Sequence, residues 1–462
     1  MANFKLSDKL SILGDDKSDL SDLSVGIWQL SSSVILVTFI SWLFTTVMMQ
    51  LVLHGNTLLI SSLTKDTIFS RNNVYFIGII VGVAIIRSVL YQFSWFKDAC
   101  GDGASQALNH FKSTYEKLTV RKLLNRTFRH GTFLVAIKRV LVTVMTLGAG
   151  GSGGIEGPAI PVGQHVGSGV AKLYQVKDIV WLRILEMCGI SAAITTLLHA
   201  PLTGAIFSLE LVFGCKFVYR LLTISLLSSL VAFILSDYIM AAESLFTLAQ
   251  HDISYTLFEY FIVVVVTVFA SIPSGIGLLF VFSIVRRIYA GLPVIAHAPV
   301  GALICALVAI LMYHFFDISP HHLLGVGEET ISLLFEHAGH DAMYSNWVML
   351  GVVVILKIVL VGFTVVSGGS AGLLVPAMFV GAMSSSALYH LLMMLDWLPV
   401  IEGLHALFVV TGVASSLICV LDLPIATVIF VGELFGVSYI PPCIIAVALS
   451  RTLTSYIRQR QA

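Results

Sequence analysis

Apolar residues run along this chain in long unbroken stretches, without the alternating or one-face patterns of soluble elements. Residues 34–53 form 20 positions without a charge, a length that crosses a hydrocarbon core about 30 Å thick. Comparable runs follow at 74–96, interrupted by Arg87, at 261–272, at 294–316, and at 347–366, which contains Lys357. Between them lie apolar pieces cut by Gly and Pro near 148–163, 189–209, 368–384 and 412–431. These pieces read as too short to span alone. Non-helical backbone at membrane depth persists only inside protein or beside a wet cavity, so broken segments predict a transport site.

Composition sharpens the picture. Of 462 residues, 57% are hydrophobic and 11% charged, with mean hydropathy +0.94; an average soluble domain carries about 25% charged residues. The 26 basic and 26 acidic residues balance, which removes the basic excess of a nucleic-acid binder. Cys100, Cys188, Cys215, Cys305, Cys419 and Cys443 are scattered without CxxC spacing and read as reduced core residues. The chain reads as an all-α polytopic membrane protein. Residues 1–24 are polar and slightly acidic, with no basic patch leading into a short apolar run, so they predict a cytoplasmic tail rather than a signal peptide. Residues 25–462 then form a single transmembrane domain. Arg451, Arg458 and Arg460 place the C-terminus in the cytoplasm, whereas 317–346 has no Lys or Arg and carries Glu328, Glu329, Glu336 and Asp341, which places it outside. The basic stretch 112–139 is less decisive, because an amphipathic helix inside the protein would look the same.

An internal repeat is the strongest single feature. Residues 154–163 (GIEGPAIPVG) and 372–381 (GLLVPAMFVG) match at Gly154/Gly372, Pro158/Pro376, Ala159/Ala377, Val162/Val380 and Gly163/Gly381. The same offset of 218 adds Thr146/Thr364, Gly150/Gly368, Gly151/Gly369 and Ser152/Ser370. A second block at an offset of 223 pairs Gly189/Gly412, Pro201/Pro424, Phe207/Phe430, Glu210/Glu433 and Leu211/Leu434. The chain therefore divides into two halves, roughly 30–240 and 250–460, the construction of many secondary transporters. Whether the halves are parallel or inverted stays open at this point.

Each repeated block has glycines, then a proline, then a small-residue helical run. Glycines let the chain turn and expose N–H groups, and a proline in the first helical turn sacrifices no needed donor. A helix N-terminus offers unpaired N–H groups and about half a positive charge, a natural place for an anion. Two such ends meeting at the midplane hold an anion firmly enough to strip water and loosely enough to release it. Glu156 is the one carboxylate in the first block, where the second has Leu374. Its charge would compete with the permeating anion, and protonation would free the site, which makes it a gate or proton carrier. The plainer alternative is a residue that only caps its own helix.

Here the residues resemble a family. Gly154-Ile155-Glu156-Gly157-Pro158 looks like the gating-glutamate motif of the CLC chloride channels and chloride/proton exchangers, and Gly372-Leu373-Leu374-Val375-Pro376 is similar to their GxFxP segment. Pro201-Leu202-Thr203-Gly204 through Glu210, with its Pro424–Glu433 copy, fits the same pattern, so the resemblance spans about 30–455. It implies inverted repeats of tilted, broken helices in the bilayer, and a homodimer with one chloride pathway per subunit. It also implies no cofactor beyond the transported anion and, in the prokaryotic form without C-terminal regulatory domains, a bacterial inner membrane with both termini cytoplasmic. Carried over residue by residue, Glu156 is the gate, while Gly154, Ile155, Gly157, Gly372, Leu373 and Leu374 line the anion site. Arg139 falls where the family often has a lysine that raises the local potential.

Departures from the pattern carry their own expectations. Gly101-Asp102-Gly103-Ala104-Ser105 stands where the family's GSGIP segment supplies a serine, so Asp102 and Gly103 fall at the inner end of the pathway, and an Asp102 carboxylate would weaken or retune halide binding. The exchangers' internal glutamate is Leu211 here, which leans toward a channel or uncoupled transporter, with a proton-coupled antiporter using another proton path as the alternative. Tyr456 is the nearest candidate for the family's C-terminal tyrosine, although it comes early in the chain. His314, His321, His322, His337 and His340 with Asp317 and Asp341 read as solvated loop residues, without metal-ligand spacing. Two other classes stay in view: an intramembrane hydrolase built on Ser152 or Ser370 with His165 or His199, and a different inverted-repeat transporter.

Overall fold

A computed structural model describes residues 27–64, 70–101, 103–104, 107, 132–176, 178–214, 219–240, 255–336, 342–399, 401 and 403–461. Among these, the elements are helices, joined by short turns. In chain order they are α1 (Ile27–Ser61), α2 (Arg71–Gln92), α3 (Thr132–Thr143), α4 (Glu156–Leu173), α5 (Ile179–Leu198), α6 (Pro201–Phe213), α7 (Tyr219–Met240), α8 (Leu257–Val266) and α9 (Ile272–Ala290). Then come α10 (Val294–Phe316), α11 (Pro320–Leu323), α12 (Glu328–Glu336), α13 (Ala342–Ser345), α14 (Trp347–Val366), α15 (Leu374–Met394), α16 (Leu404–Leu421), α17 (Pro424–Leu434) and α18 (Ile440–Gln461).

Among the described residues ten helical segments are long and apolar enough to cross a membrane, and the protein is a multi-pass integral membrane protein. Helix α1 has 35 residues, about 50 Å at 1.5 Å per residue, so it exceeds a bilayer core and has to tilt. The expectation of short pieces holds for α6 and α17, with 13 and 11 residues. It fails for α5, α15 and α16, which have 20, 21 and 18. The glycines that suggested breaks there lie inside helices, where they bring backbones together. A Cβ on Gly163 would strike the Gly189 carbonyl, and one on Gly381 would strike that of Gly412. These repeat-related contacts seat α4 on α5 and α15 on α16, the small-residue packing that membrane interiors favour. The real breaks fall at left-handed His199 and Asp422, just before Pro201 and Pro424.

The two halves are inverted repeats, and reciprocal contacts tie them together. Glu433 Oε1 accepts from the Leu202 N–H at 2.9 Å, and its Oε2 accepts from the Thr203 N–H and hydroxyl, both at 2.7 Å. Glu210 returns the arrangement, accepting from the N–H groups of Ile425 at 3.2 Å and Ala426 at 2.6 Å. Each glutamate thus caps the Pro-led helix of the opposite half, where the first-turn N–H groups have no partner of their own. Two further threonines cross over in the same way: Thr364 Oγ1 accepts from the Ser152 N–H at 3.0 Å, and Thr146 Oγ1 from the Ser370 N–H at 3.2 Å. Cys188, Cys305, Cys419 and Cys443 are buried and unbridged; Cys215 lies outside the described residues.

Hydrogen bonds to a charged acceptor contribute about 1.5–3 kcal/mol each. Glu433→Ala is therefore expected to lower the thermal unfolding midpoint in detergent clearly, with Glu433→Gln intermediate. Val437→Ala, at a side chain 75% exposed, is expected to leave the midpoint in place.

Candidate functional site

The two repeated blocks meet at an antiparallel bridge. Gly154 donates its N–H to the Gly372 carbonyl at 3.0 Å, and Gly372 donates to the Gly154 carbonyl at 2.6 Å. Equivalent residues that exchange both bonds lie on a local two-fold axis, so the N-termini of α4 and α15 converge on one spot. The approach tolerates no side chain: a Cβ on Gly372 would lie 2.5 Å from the Gly157 nitrogen. Pro158 and Pro376, third in their helices, remove one donor from each first turn.

This changes the expected donor set. Gly154 was expected to offer its N–H group to an anion and Gly372 to line the site, but each gives its N–H to the other's carbonyl. The first backbone bonds into α4 and α15 run from Ala159 to Ile155 and from Ala377 to Leu373. The N–H groups of Ile155, Glu156 and Gly157 and of Leu373, Leu374 and Val375 are the first-turn donors left over. Glu156 is 2% exposed. Its carboxylate folds back over Gly154, where Oε2 would meet a Cβ, and turns toward the N–H groups of Val375 and of Glu156 itself. Oε2 has no hydrogen-bond partner.

Two Gly-x-Gly loops flank the bridge, each braced by a buried cation. Arg139, on α3 and 1% exposed, donates to the carbonyls of Asp98 at 2.9 Å, Cys100 at 3.3 Å and Gly101 at 2.9 Å. Lys357, on α14 and fully buried, donates to the carbonyls of Leu323 at 3.3 Å and Gly325 at 3.2 Å. Gly101, Gly103, Gly325 and Gly327 all have positive φ, between +64° and +96°, which favours glycine. Gly103 packs where a Cβ would lie 2.8 Å from the Gly157 carbonyl, and Gly325 accepts from the Gly153 N–H at 3.1 Å. Both loops therefore touch the segment that leads into α4. A third cation, Arg87, joins the blocks by donating to Thr146 Oγ1 at 2.8 Å and Ser367 Oγ at 3.3 Å.

Of the expected site residues, Ile155, Glu156, Gly157, Leu373 and Leu374 come together around the Gly154–Gly372 bridge, with Gly103 and Arg139 beside them. Asp102 lies outside the described residues. Tyr456 stands 53% exposed on α18, whereas Ile155, Glu156, Gly157 and Leu374 at the bridge are buried. Lys357 and the loop Gly325-Val326-Gly327 were missed, although their signal was legible. Arg139 and Lys357 keep the 218 offset of the main repeat, and Gly101-x-Gly103 pairs with Gly325-x-Gly327.

Other candidates resolve into structure. Ser152 Oγ donates to the Leu323 carbonyl at 2.9 Å, and Ser370 Oγ shares a bond with Thr143 at 2.9 Å, so neither faces a histidine base. His321, His322 and Asp317 line a cavity of about 580 Å³ together with Glu329. Burial, with neighbouring His321 and Lys357, pushes His322 down to about 4, and its Nδ1 pairs with Thr330 at 3.0 Å. No trio of His, Cys, Asp or Glu among the described residues is placed to hold a metal. His337, His340 and Asp341 lie outside them.

Comparison with known proteins follows the same geometry. The sequence profile of the voltage gated chloride channel family matches residues 78–455. An uncharacterized protein of Methanocaldococcus jannaschii is 25% identical over 393 residues, covering 83% of this chain and 86% of its own length. The voltage-gated ClC-type chloride channel ClcB of Escherichia coli O81 is 24% identical over 342 residues, covering 71% and 76%. The crystal structure of a slow cyanobacterial Cl⁻/H⁺ antiporter superposes with TM-score 0.74 at 18% identity, over 94% of this chain and 96% of its own.

The bridge predicts a steric test. Gly372→Ala is expected to drive the two blocks apart and abolish chloride efflux from liposomes. Gly82→Ala, with nothing within 4 Å of its Cβ position, is expected to leave efflux unchanged.

Proposed function

The chain belongs to the voltage gated chloride channel family, and on that premise we propose that it is a chloride pathway across the membrane, gated by protonation of Glu156. The observation that carries this reading is the buried Glu156 carboxylate lying across the converging first turns of α4 and α15, with one oxygen unpartnered. A carboxylate there occupies the place that two helix N-termini offer an anion, so ionised Glu156 and chloride exclude one another. Protonation removes the charge, the side chain leaves the donors, and chloride takes them. The donors are the N–H groups of Ile155, Gly157, Leu373 and Leu374.

The buried cations support the same reading. Arg139 and Lys357 bring positive charge to both sides of the bridge while donating to peptide carbonyls. That raises the potential for an anion without setting a competing carboxylate beside it. Asp102 is proposed to adjoin the inner end of the path and to set halide preference there. The bilayer surrounds the exposed apolar faces, and the working unit is a homodimer with one pathway per subunit.

The expected pH response follows from which form of Glu156 blocks. The ionised form closes the site, so chloride efflux rises as pH falls. Glu156→Gln and Glu156→Ala remain open, and both are expected to give efflux that no longer varies with pH between about 4 and 8. Efflux measured with a chloride electrode on liposomes of purified protein checks this. A Glu156→Ala protein that keeps the wild-type pH dependence refutes the gate.

A further inference from the structure

Four carboxylates are buried among the described residues: Glu156, Glu186, Glu210 and Glu259. Three of them serve a helix end. Glu156 stands in the first turn of α4, Glu210 caps α17, and Glu259 closes a capping box with Thr256. Glu186 stands at no helix end. It sits in the middle of α5, 3% exposed, in a helix that is itself almost wholly enclosed by protein. An acid kept at such a place is expensive and calls for a use.

Its neighbours connect it to the gate. Ser168 Oγ donates to Glu186 Oε1 at 2.5 Å, and Ser168 lies on α4, the helix that begins with Glu156. Twelve residues separate the two positions, about 18 Å at 1.5 Å per residue. Between them on α4 stands Gln164, 2% exposed, whose Nε2 has no partner. Close packing holds this geometry: a Cβ on Gly167 would lie 2.6 Å from the Glu186 Cα. Beyond Ser168, Tyr174 Oη donates to Ser32 and Trp181 Nε1 to Ser33, which fixes the far end of α4 and the start of α5 at the first turns of α1. Glu186 therefore stands between Glu156 and the end of the bundle where α1 begins.

We propose that Glu186 carries protons between the aqueous phase at that end and Glu156. In each transfer Glu186 releases its carboxyl proton, Glu156 Oε2 receives it by way of water held along α4 at Gln164, and Glu186 takes another proton from hydronium at the α1 end. Ser168 holds the Glu186 carboxylate toward α4 and is a positioning residue. Arg183, one turn earlier on α5, with Lys172, one turn beyond Ser168, and His165, one turn before it on α4, are the basic residues nearest in sequence on these two helices. Helix α1, packed on both α4 and α5, brings hydroxyls and His54 but no acid or other base; α3, packed on α4, carries Lys138 and Arg139, α6, packed on α5, carries Glu210, and α7 carries Asp237 near its end. This proposal rests on the reading that protonation of Glu156 opens the pathway, and it supplies a proton route that avoids Leu211.

The test is paired proton and chloride flux from liposomes of purified protein under an imposed chloride gradient. Wild-type protein is expected to move protons with chloride. Glu186→Gln is expected to lower the proton-to-chloride ratio at least ten-fold, whereas Glu186→Asp, which keeps a titratable acid, restores most of it. Should Glu186→Gln fail to fold, Ser168→Ala removes only the positioning donor and is expected to lower the proton-to-chloride ratio several-fold. An unaltered proton-to-chloride ratio in these variants overturns the proposal. So does wild-type protein that passes chloride without protons; both results leave the chloride pathway standing. Wild-type protein that passes no chloride overturns the pathway and the proposal together.

Discussion

Two peptide hydrogen bonds exchanged between Gly154 and Gly372 set the distance and angle between the helix N-termini on which this molecule converges. Because both partners are backbone groups of equivalent residues, the junction is symmetric and has no room for a Cβ on the Gly372 side. Everything near it follows from that restriction. The glycine N–H groups are occupied, so first-turn groups one to three residues later carry the remaining donor capacity. The prolines at the third helical positions trim the donors further, and the threonines Thr146 and Thr364 hold the preceding turns by bonding across the axis.

Around the junction, buried cations act on peptide carbonyls. Arg139 and Lys357 come from opposite halves, each holds a Gly-x-Gly loop by its carbonyl oxygens, and each loop presses on the segment entering α4. A cation satisfied by carbonyl dipoles keeps most of its field, whereas one paired with a carboxylate loses it at short range. The two braces therefore stiffen the loops and leave a positive potential where donors point inward. The ion pair Arg451–Asp422, at 3.3 Å, joins two side chains each nearly half exposed and lies away from this arrangement.

Much of this was legible in the sequence, and the rest failed for identifiable reasons. The repeat exposed the two halves and their paired helix N-termini, because a duplicated block preserves Gly and Pro at fixed spacing, but it left open whether the halves run parallel or inverted. Glycines at 163, 189, 381 and 412 misled, since a glycine that breaks a helix and one that seats two helices against each other look alike in one dimension. The donor assignment for Gly154 failed because pairing across 218 residues is invisible to local pattern. Lys357 was noticed only as a charge in an apolar run; its role emerges when the repeat offset is carried back to Arg139. Glu186 gave no signal at all, because its meaning depends on Ser168 lying across the α4–α5 contact.

The crossed caps have a consequence for how the chain is made. The Thr203 N–H waits for Glu433, which follows it by 230 residues. At a synthesis rate of about 5–20 residues per second, that is roughly 10–50 s during which the start of α6 sits in or near the bilayer with its donors unsatisfied. The first half is therefore not a finished folding unit when it leaves the ribosome. It is an intermediate that the insertion machinery or a neighbouring chain has to shelter until the second half arrives. Because either half can cap the other, two copies of an ancestral half could have done so in trans, and fusing them turned a bimolecular encounter into a step within one molecule.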